Sequence, residues 1–137
     1  MEEKIKISQL MTRKVIVANL QNKFSEVLQF FNDTNINHLP VTFDDALLGI
    51  ISIKDLLKYV STELKSGNTV TLEALDAKFK LEDIMTKSPV YVHPDNLVTD
   101  AIEILSEGKF QALPVLEEGK IVGIVTNKDI VRLESVL

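Results

Sequence analysis

The sequence predicts a mixed helix-and-strand fold, α/β of the α+β kind, in which two β-α-β-β-α repeats pack sheet to sheet with pseudo-twofold symmetry. Three observations lead there. Displacing the chain against itself by 74 residues aligns Ile7–Leu57 with Leu81–Val131 without a gap, and ten aligned positions are identical, clustered in "MT", "LPV" and "GI…KD". Such clustering marks a duplication. Within each copy the hydrophobic period switches between strand and helix in the same order. A copy of about 55 residues buries too little surface to hold a core alone, whereas two packed together bury enough.

In each copy the first strand is a short β-branched and aromatic run, "VIVA" at Val15–Ala18 and "VYV" at Val90–Val92. A helix follows, with Phe24, Val27, Leu28 and Phe31 at helical spacing in the first copy and Val98, Ala101, Ile102 and Leu105 in the second. Asp95 in "HPDN" is the expected N-cap of the second-copy helix, and Gly108 the left-handed residue near its end. "HLPVTF" and "ALPVL" read as strands whose proline, lacking an N–H, calls for an edge, a bulge or a strand start. The turns at Asp44-Asp45 and Glu117-Glu118-Gly119 fold them back onto "LLGIIS" and "IVGIVT". A last helix begins at Ser52 in the first copy and at Thr126 in the second. Residues 1–60 thus form the first repeat and 81–137 the second. Residues 61–80 form a linker in which "KSGNTVT" turns and "LEALDAKF" makes a short helix.

Composition narrows the function. The 137 residues are 45% hydrophobic, carry a formal net charge of −5 and include no cysteine. Such a chain is globular, has no disulfide framework or thiolate chemistry, and lacks the basic footprint of a nucleic-acid partner. No apolar run approaches the roughly 18–20 residues that span a bilayer, and "MEEKIKISQL" lacks a secretory apolar region. The expected setting is cytoplasmic, with no membrane partner. The two histidines, His38 and His93, fall at unrelated repeat positions. Phosphate-loop, His-Glu-x-x-His and Gly-x-Ser-x-Gly motifs are all missing. No catalytic residue, metal ligand or required cofactor is expected, and the chain reads as a non-enzyme.

The repeated phrases "GIISIKD" (Gly49–Asp55) and "GIVTNKD" (Gly123–Asp129) carry the functional expectation. A hydroxyl three residues before an acid reads as a capping box at a helix start, worth about 0.5–2 kcal/mol. The same arrangement suits a nucleotide. A helix N-terminus offers N–H groups and partial positive charge to a phosphate, and an ionised aspartate, acceptor-only, matches the two hydroxyls of a ribose. Gly49 and Gly123 either allow close backbone approach in a strand or accommodate tight packing between sheets.

Taken in order, "INHLPV…LLGIISIKDLL" and "FQALPV…IVGIVTNKDIV", opened by "LMT" and "IMT", resemble the cystathionine-β-synthase (CBS) domain family. Two tandem copies resemble its Bateman module over nearly the whole chain. The resemblance implies a regulatory module, paired as a homodimer, that senses an adenine nucleotide (AMP, ADP or ATP) or S-adenosylmethionine, in some members NAD or cyclic di-AMP, and signals to an effector protein. The alternative is a structural dimerisation module with no nucleotide ligand.

The resemblance also implies two ligand sites, each completed by the other copy. The first groups Thr12, Val17, Asn37, His38, Thr126, Lys128 and Asp129; the second groups Thr86, Tyr91, Gln111, Ala112, Ser52, Lys54 and Asp55. In each, the aspartate holds the ribose and the Ser or Thr lies near the phosphates. The main chain at Asn37-His38 or Gln111-Ala112 reads the base, which Val17 or Tyr91 flanks. Tyr91 is bulkier than the family's usual residue, and either stacks on the base or fills its place. His38 is either a phosphate contact or a neutral histidine, while its counterpart Ala112 brings no charge. Lys54 and Lys128 are solvated or reach the phosphates. Lys58 and Arg132, one turn later, suit the helix C-terminal dipole or a dimer face. On these grounds the Asp129 site is expected to be the stronger of the two.

Overall fold

The computed structural model describes residues 4–135. Its contacts divide the chain into a middle unit, Ile16–Ser88, and an outer unit built from Met1–Val15 together with Pro89–Leu137.

The middle unit contains α1 (Phe24–Thr34), β1 (His38–Phe43), β2 (Ala46–Ser52), α2 (Ile53–Lys65), α3 (Leu72–Lys78), the single turn α4 (Leu81–Ile84) and β3 (Thr86–Lys87). Lys23, which precedes α1, has no capping side chain, so the end is satisfied otherwise. Glu26 accepts the Lys23 N–H at 2.9 Å, and Asp76 of α3 accepts both the N–H and the hydroxyl of Ser25 at 2.8 and 2.7 Å. The apolar stripe of α1, Phe24, Val27 and Phe31, is buried with Leu39, Val41, Ile51 and Leu56. The helix α2 runs on to Lys65, into the stretch read as linker, and α3 folds back on it. The Tyr59 hydroxyl donates to the Leu75 carbonyl at 2.7 Å, and the rings of Phe24, Tyr59 and Phe79 meet pairwise at centroid distances of 5.4 to 5.8 Å. The linker helix is therefore part of this unit's core.

The outer unit contains α5 (Val98–Ser106), β4 (Ala112–Glu117), β5 (Lys120–Thr126) and α6 (Asn127–Val131), which continues as a 3-10 turn over Arg132–Ser135. The opening segment docks onto it: Ile7 N–H donates to the Asn96 carbonyl and Val98 N–H to the Ile5 carbonyl, both at 2.8 Å. The core gathers Ile7, Met11, Val92, Ala101, Leu105, Leu113, Val115 and Val125. Asp95 is not the N-cap of α5. That position falls to Leu97, whose N–H is taken by Asp100 at 2.9 Å, repeating the use of Glu26 on α1. Asp95 lies in the preceding turn, its N–H donating to His93 Nδ1 at 3.0 Å. The identity of Asn22 and Asn96 is explained by that turn, since each side chain accepts the N–H three residues earlier, from Asn19 at 2.8 Å and from His93 at 2.7 Å. Gly108 has φ +80° just past α5, as expected, and Asn35 with φ +57° does the same past α1.

Both hairpins are antiparallel, and their two-residue turns, Asp44-Asp45 and Glu118-Gly119, have positive φ at all four positions, the hand that matches strand twist. The register slips at the same place in each, between Val41 and Thr42 and between Val115 and Leu116. The expected first strands shrink to single parallel bridges, Ala18 to Val41 and Val92 to Val115. Proline is the reason. Ala18 N–H donates to the Pro40 carbonyl at 2.9 Å and Thr42 N–H to the Ala18 carbonyl at 3.0 Å; Val92 uses Pro114 and Leu116 alike, at 3.0 and 2.8 Å. The next rung of a parallel ladder would need an N–H on Pro40 or Pro114, which have none. A strand residue's N and carbonyl point the same way, so the missing donor faces the bridge and the hairpin ladders lose nothing.

Among the described residues no helix is long and apolar enough to cross a membrane.

Candidate functional site

In the middle unit β2 delivers Ser52 to the start of α2. Ser52 N–H donates to Asp55 Oδ2 at 2.8 Å, and Asp55 N–H donates to Ser52 Oγ at 3.2 Å, a reciprocal capping box. Asp55 is half-buried, and among the described residues its Oδ1 accepts no hydrogen bond. The antiparallel register sets His38 opposite Ser52, and Ile53 N–H donates to the Asn37 carbonyl at 3.1 Å. His38, grouped with Asp129 on the sequence, therefore has Ser52, Lys54 and Asp55 as its neighbours.

Burial is the largest influence on His38 and holds its imidazole below the ordinary histidine value; the Asp55 carboxylate pulls it back up and the Lys54 ammonium pushes it down. Unfolded His38 thus binds a proton at a pH where the folded protein does not, and stability falls as pH drops from the ordinary value through the lower folded one. Replacing His38 with Gln removes this contribution. The wild-type advantage in Tm over His38→Gln should shrink between about pH 7.5 and about pH 5.5; a constant difference would show that His38 is not held neutral by the fold.

The outer unit presents the same phrase differently. Asp129 is 1% exposed. Its Oδ2 accepts the Thr126 N–H at 2.8 Å and the Thr126 hydroxyl at 3.4 Å. Its Oδ1 accepts the Thr12 hydroxyl at 2.9 Å and the guanidinium of Arg132, which also lies 3.5 Å from the Thr12 oxygen. The Thr126 hydroxyl turns toward the carboxylate and makes no cap bond to the helix. Ala112 pairs with Thr126 across the hairpin.

The identical "MT" and "GI" letters of the two copies turn out to be one device. Thr12 exchanges two backbone hydrogen bonds with Ile124, at 2.9 and 3.0 Å, which lays Met11 over Gly123. A Cβ on Gly123 would stand 2.5 Å from Met11 Sδ and 3.1 Å from the Thr12 carbonyl oxygen. In the middle unit Thr86 pairs with Ile50, and a Cβ on Gly49 would stand 2.6 Å from both Met85 Sδ and the Thr86 carbonyl oxygen. The glycines serve close approach of the chain itself, and in the outer unit that approach carries the Thr12 hydroxyl to Asp129. Thr86 is exposed, and its hydroxyl donates no hydrogen bond among the described residues.

The remaining expected residues sit at the surface. Val17 is 37% and Tyr91 60% exposed; Lys54, Lys128, Asn37 and Gln111 are exposed as well. Sequence reasoning missed Arg132 as a partner of Asp129. The only signal was its spacing, three residues on, which Lys58 shares with Asp55.

Residues 7–62 and 81–135 match the family model described as CBS domain. The chain belongs to the CBS domain family. This CBS pair is 28% identical to the Arabidopsis thaliana protein CBSX2, whose crystal structure in complex with AMP matches at a TM-score of 0.79 over 96% of this chain and 97% of that one. It is 26% identical to the CBS domain pair of protein MJ0100 in complex with 5′-methylthioadenosine and S-adenosyl-L-methionine, again at a TM-score of 0.79, covering 98% of each chain. An uncharacterized protein of Methanocaldococcus jannaschii, MJ0188, is 30% identical over 93% of this chain, which spans 43% of that protein's length.

Proposed function

We propose that this CBS pair is a regulatory module that binds an adenosine-containing ligand at its Ser/Thr-x-x-Asp phrases and passes its occupancy to an effector protein. The observation that carries this reading is the Ser52–Asp55 box at the start of the 13-residue α2. It leaves a carboxylate oxygen open to ribose hydroxyls and a serine hydroxyl able to donate to a phosphate, at the positive end of a helix dipole. His38, on the facing strand, adds an imidazole whose protonation a phosphate would favour. The AMP, 5′-methylthioadenosine and S-adenosyl-L-methionine of the similar structures support the ligand class.

Thermal unfolding with AMP, ADP, ATP and S-adenosylmethionine tests it. A ligand at about 100 times its Kd stabilises the fold by roughly 2.7 kcal/mol. Asp55→Asn should remove the Asp55 site's share of the shift while keeping the cap, because the amide oxygen still accepts the Ser52 N–H. If none of the four ligands moves Tm, the sensor reading is wrong and the dimerisation module takes its place.

A further inference from the structure

We infer that Arg132 is a built-in gate on the Asp129 phrase, so that the two repeats are unequal and the first ligand goes to Asp55. The inference rests on the adenosine reading above and reverses the preference for Asp129 drawn from the sequence.

An ionised carboxylate offers about four lone-pair positions. At Asp129 four donors meet it: the Thr126 N–H and hydroxyl on Oδ2, the Thr12 hydroxyl and the Arg132 guanidinium on Oδ1. No acceptor remains for a ribose diol. At Asp55 the Ser52 N–H is the one donor among the described residues. The repeat makes the contrast specific. Arg132 corresponds to Lys58, which is exposed and forms no ion pair with Asp55 among the described residues, and Thr12 corresponds to Thr86, which does not reach Asp55. To admit a ribose, Asp129 has to release one of its Oδ1 donors. Thr12 is tied to Ile124 by two backbone hydrogen bonds, whereas the Arg132 side chain is 60% exposed and can turn into solvent without disturbing the core. Arg132 is the movable group, and its departure is the opening step.

Calorimetric titration with ADP tests the gate on wild type, Arg132→Met, Asp55→Asn and the double variant. Methionine keeps the apolar stem and removes the donors. The expected stoichiometries are one ADP per chain in wild type, none in Asp55→Asn, two in Arg132→Met and one in the double variant. Two ADP per chain in wild type, retained binding in Asp55→Asn, or one in Arg132→Met would overturn the gate. A ligand-free readout separates this from failure of the adenosine reading. The Arg132 Nη protons should give distinct, slowly exchanging signals in the nitrogen-15 spectrum of wild type and lose them in Asp129→Asn. If ADP binds to no variant, the proposed function falls; the Arg132 contact then stands if those signals are present and falls if they are absent.

Discussion

Gly49→Ala should be among the most damaging single-methyl changes in this protein, and no change in Met85 should rescue it. The added Cβ would lie 2.6 Å from Met85 Sδ and 2.6 Å from the Thr86 carbonyl oxygen. A thioether at the end of a flexible side chain can move aside; the oxygen belongs to backbone held in the β2–β3 pairing. Overpacking of this kind costs about 1–3 kcal/mol, or roughly 4–12 °C in Tm for a chain of this size. Gly123→Ala differs in an instructive way. Its nearest obstacles are Met11 Sδ at 2.5 Å and Cγ at 3.0 Å, with the Thr12 oxygen at 3.1 Å. Trimming Met11 to Ala in the Gly123→Ala background should therefore recover part of the loss, even though Met11→Ala alone is destabilising, because the two changes share one site and cannot be additive. The measurement is a double-mutant cycle in urea for each pair. Equal rescue at both sites, or at neither, would mean that the methionine–glycine seats do not hold the Thr12 and Thr86 strands as described.

Much of this architecture could be read from the letters, and the misses share a cause. The hairpins, the helix starts at Ser52 and Thr126 and the short helix α3 follow from local signals, namely alternation, turn residues and capping chemistry. The first strands did not follow, because β-branched runs predict extended backbone but not whether a partner strand offers donors; Pro40 and Pro114 withhold them. Asp95 looked like a cap because its residue type suits one, yet an acid at the third helical position, Asp100, satisfies the same N–H from the other side. The placement of His38 depended on hairpin register, which sets it opposite Ser52. The Asp129 site was harder still. Lys58 and Arg132 are interchangeable as cations on paper, but only a planar guanidinium with its fixed fork of donors is found on its aspartate. What distinguishes the copies is tertiary, and the identical residues of the repeat conceal it.

That difference yields the second large effect: Asp129→Ala should destabilise the protein more than Asp55→Ala, although the two occupy the same position in the duplicated phrase. Asp55 is half-buried, and its loss removes one arm of a capping box, about 0.5–2 kcal/mol. Asp129 is 1% exposed. Its removal takes the acceptor from the Thr126 N–H, both threonine hydroxyls and one guanidinium contact, at a part-buried position. Each buried donor left without a partner costs about 1–3 kcal/mol, although the exposed Arg132 and the rotatable hydroxyls recover part of that through solvent. A net loss of about 2–4 kcal/mol is expected. The single partners apportion it. Arg132→Met removes one of the four donors on the carboxylate and should cost less than Asp129→Ala, and Thr12→Val should cost more than Arg132→Met because its hydroxyl is the donor fixed by backbone pairing. Urea unfolding of the four variants settles the order. Equal losses for Asp129→Ala and Asp55→Ala would mean that the buried carboxylate is no more integrated than the open one, and the inequality of the two repeats would lose its structural basis.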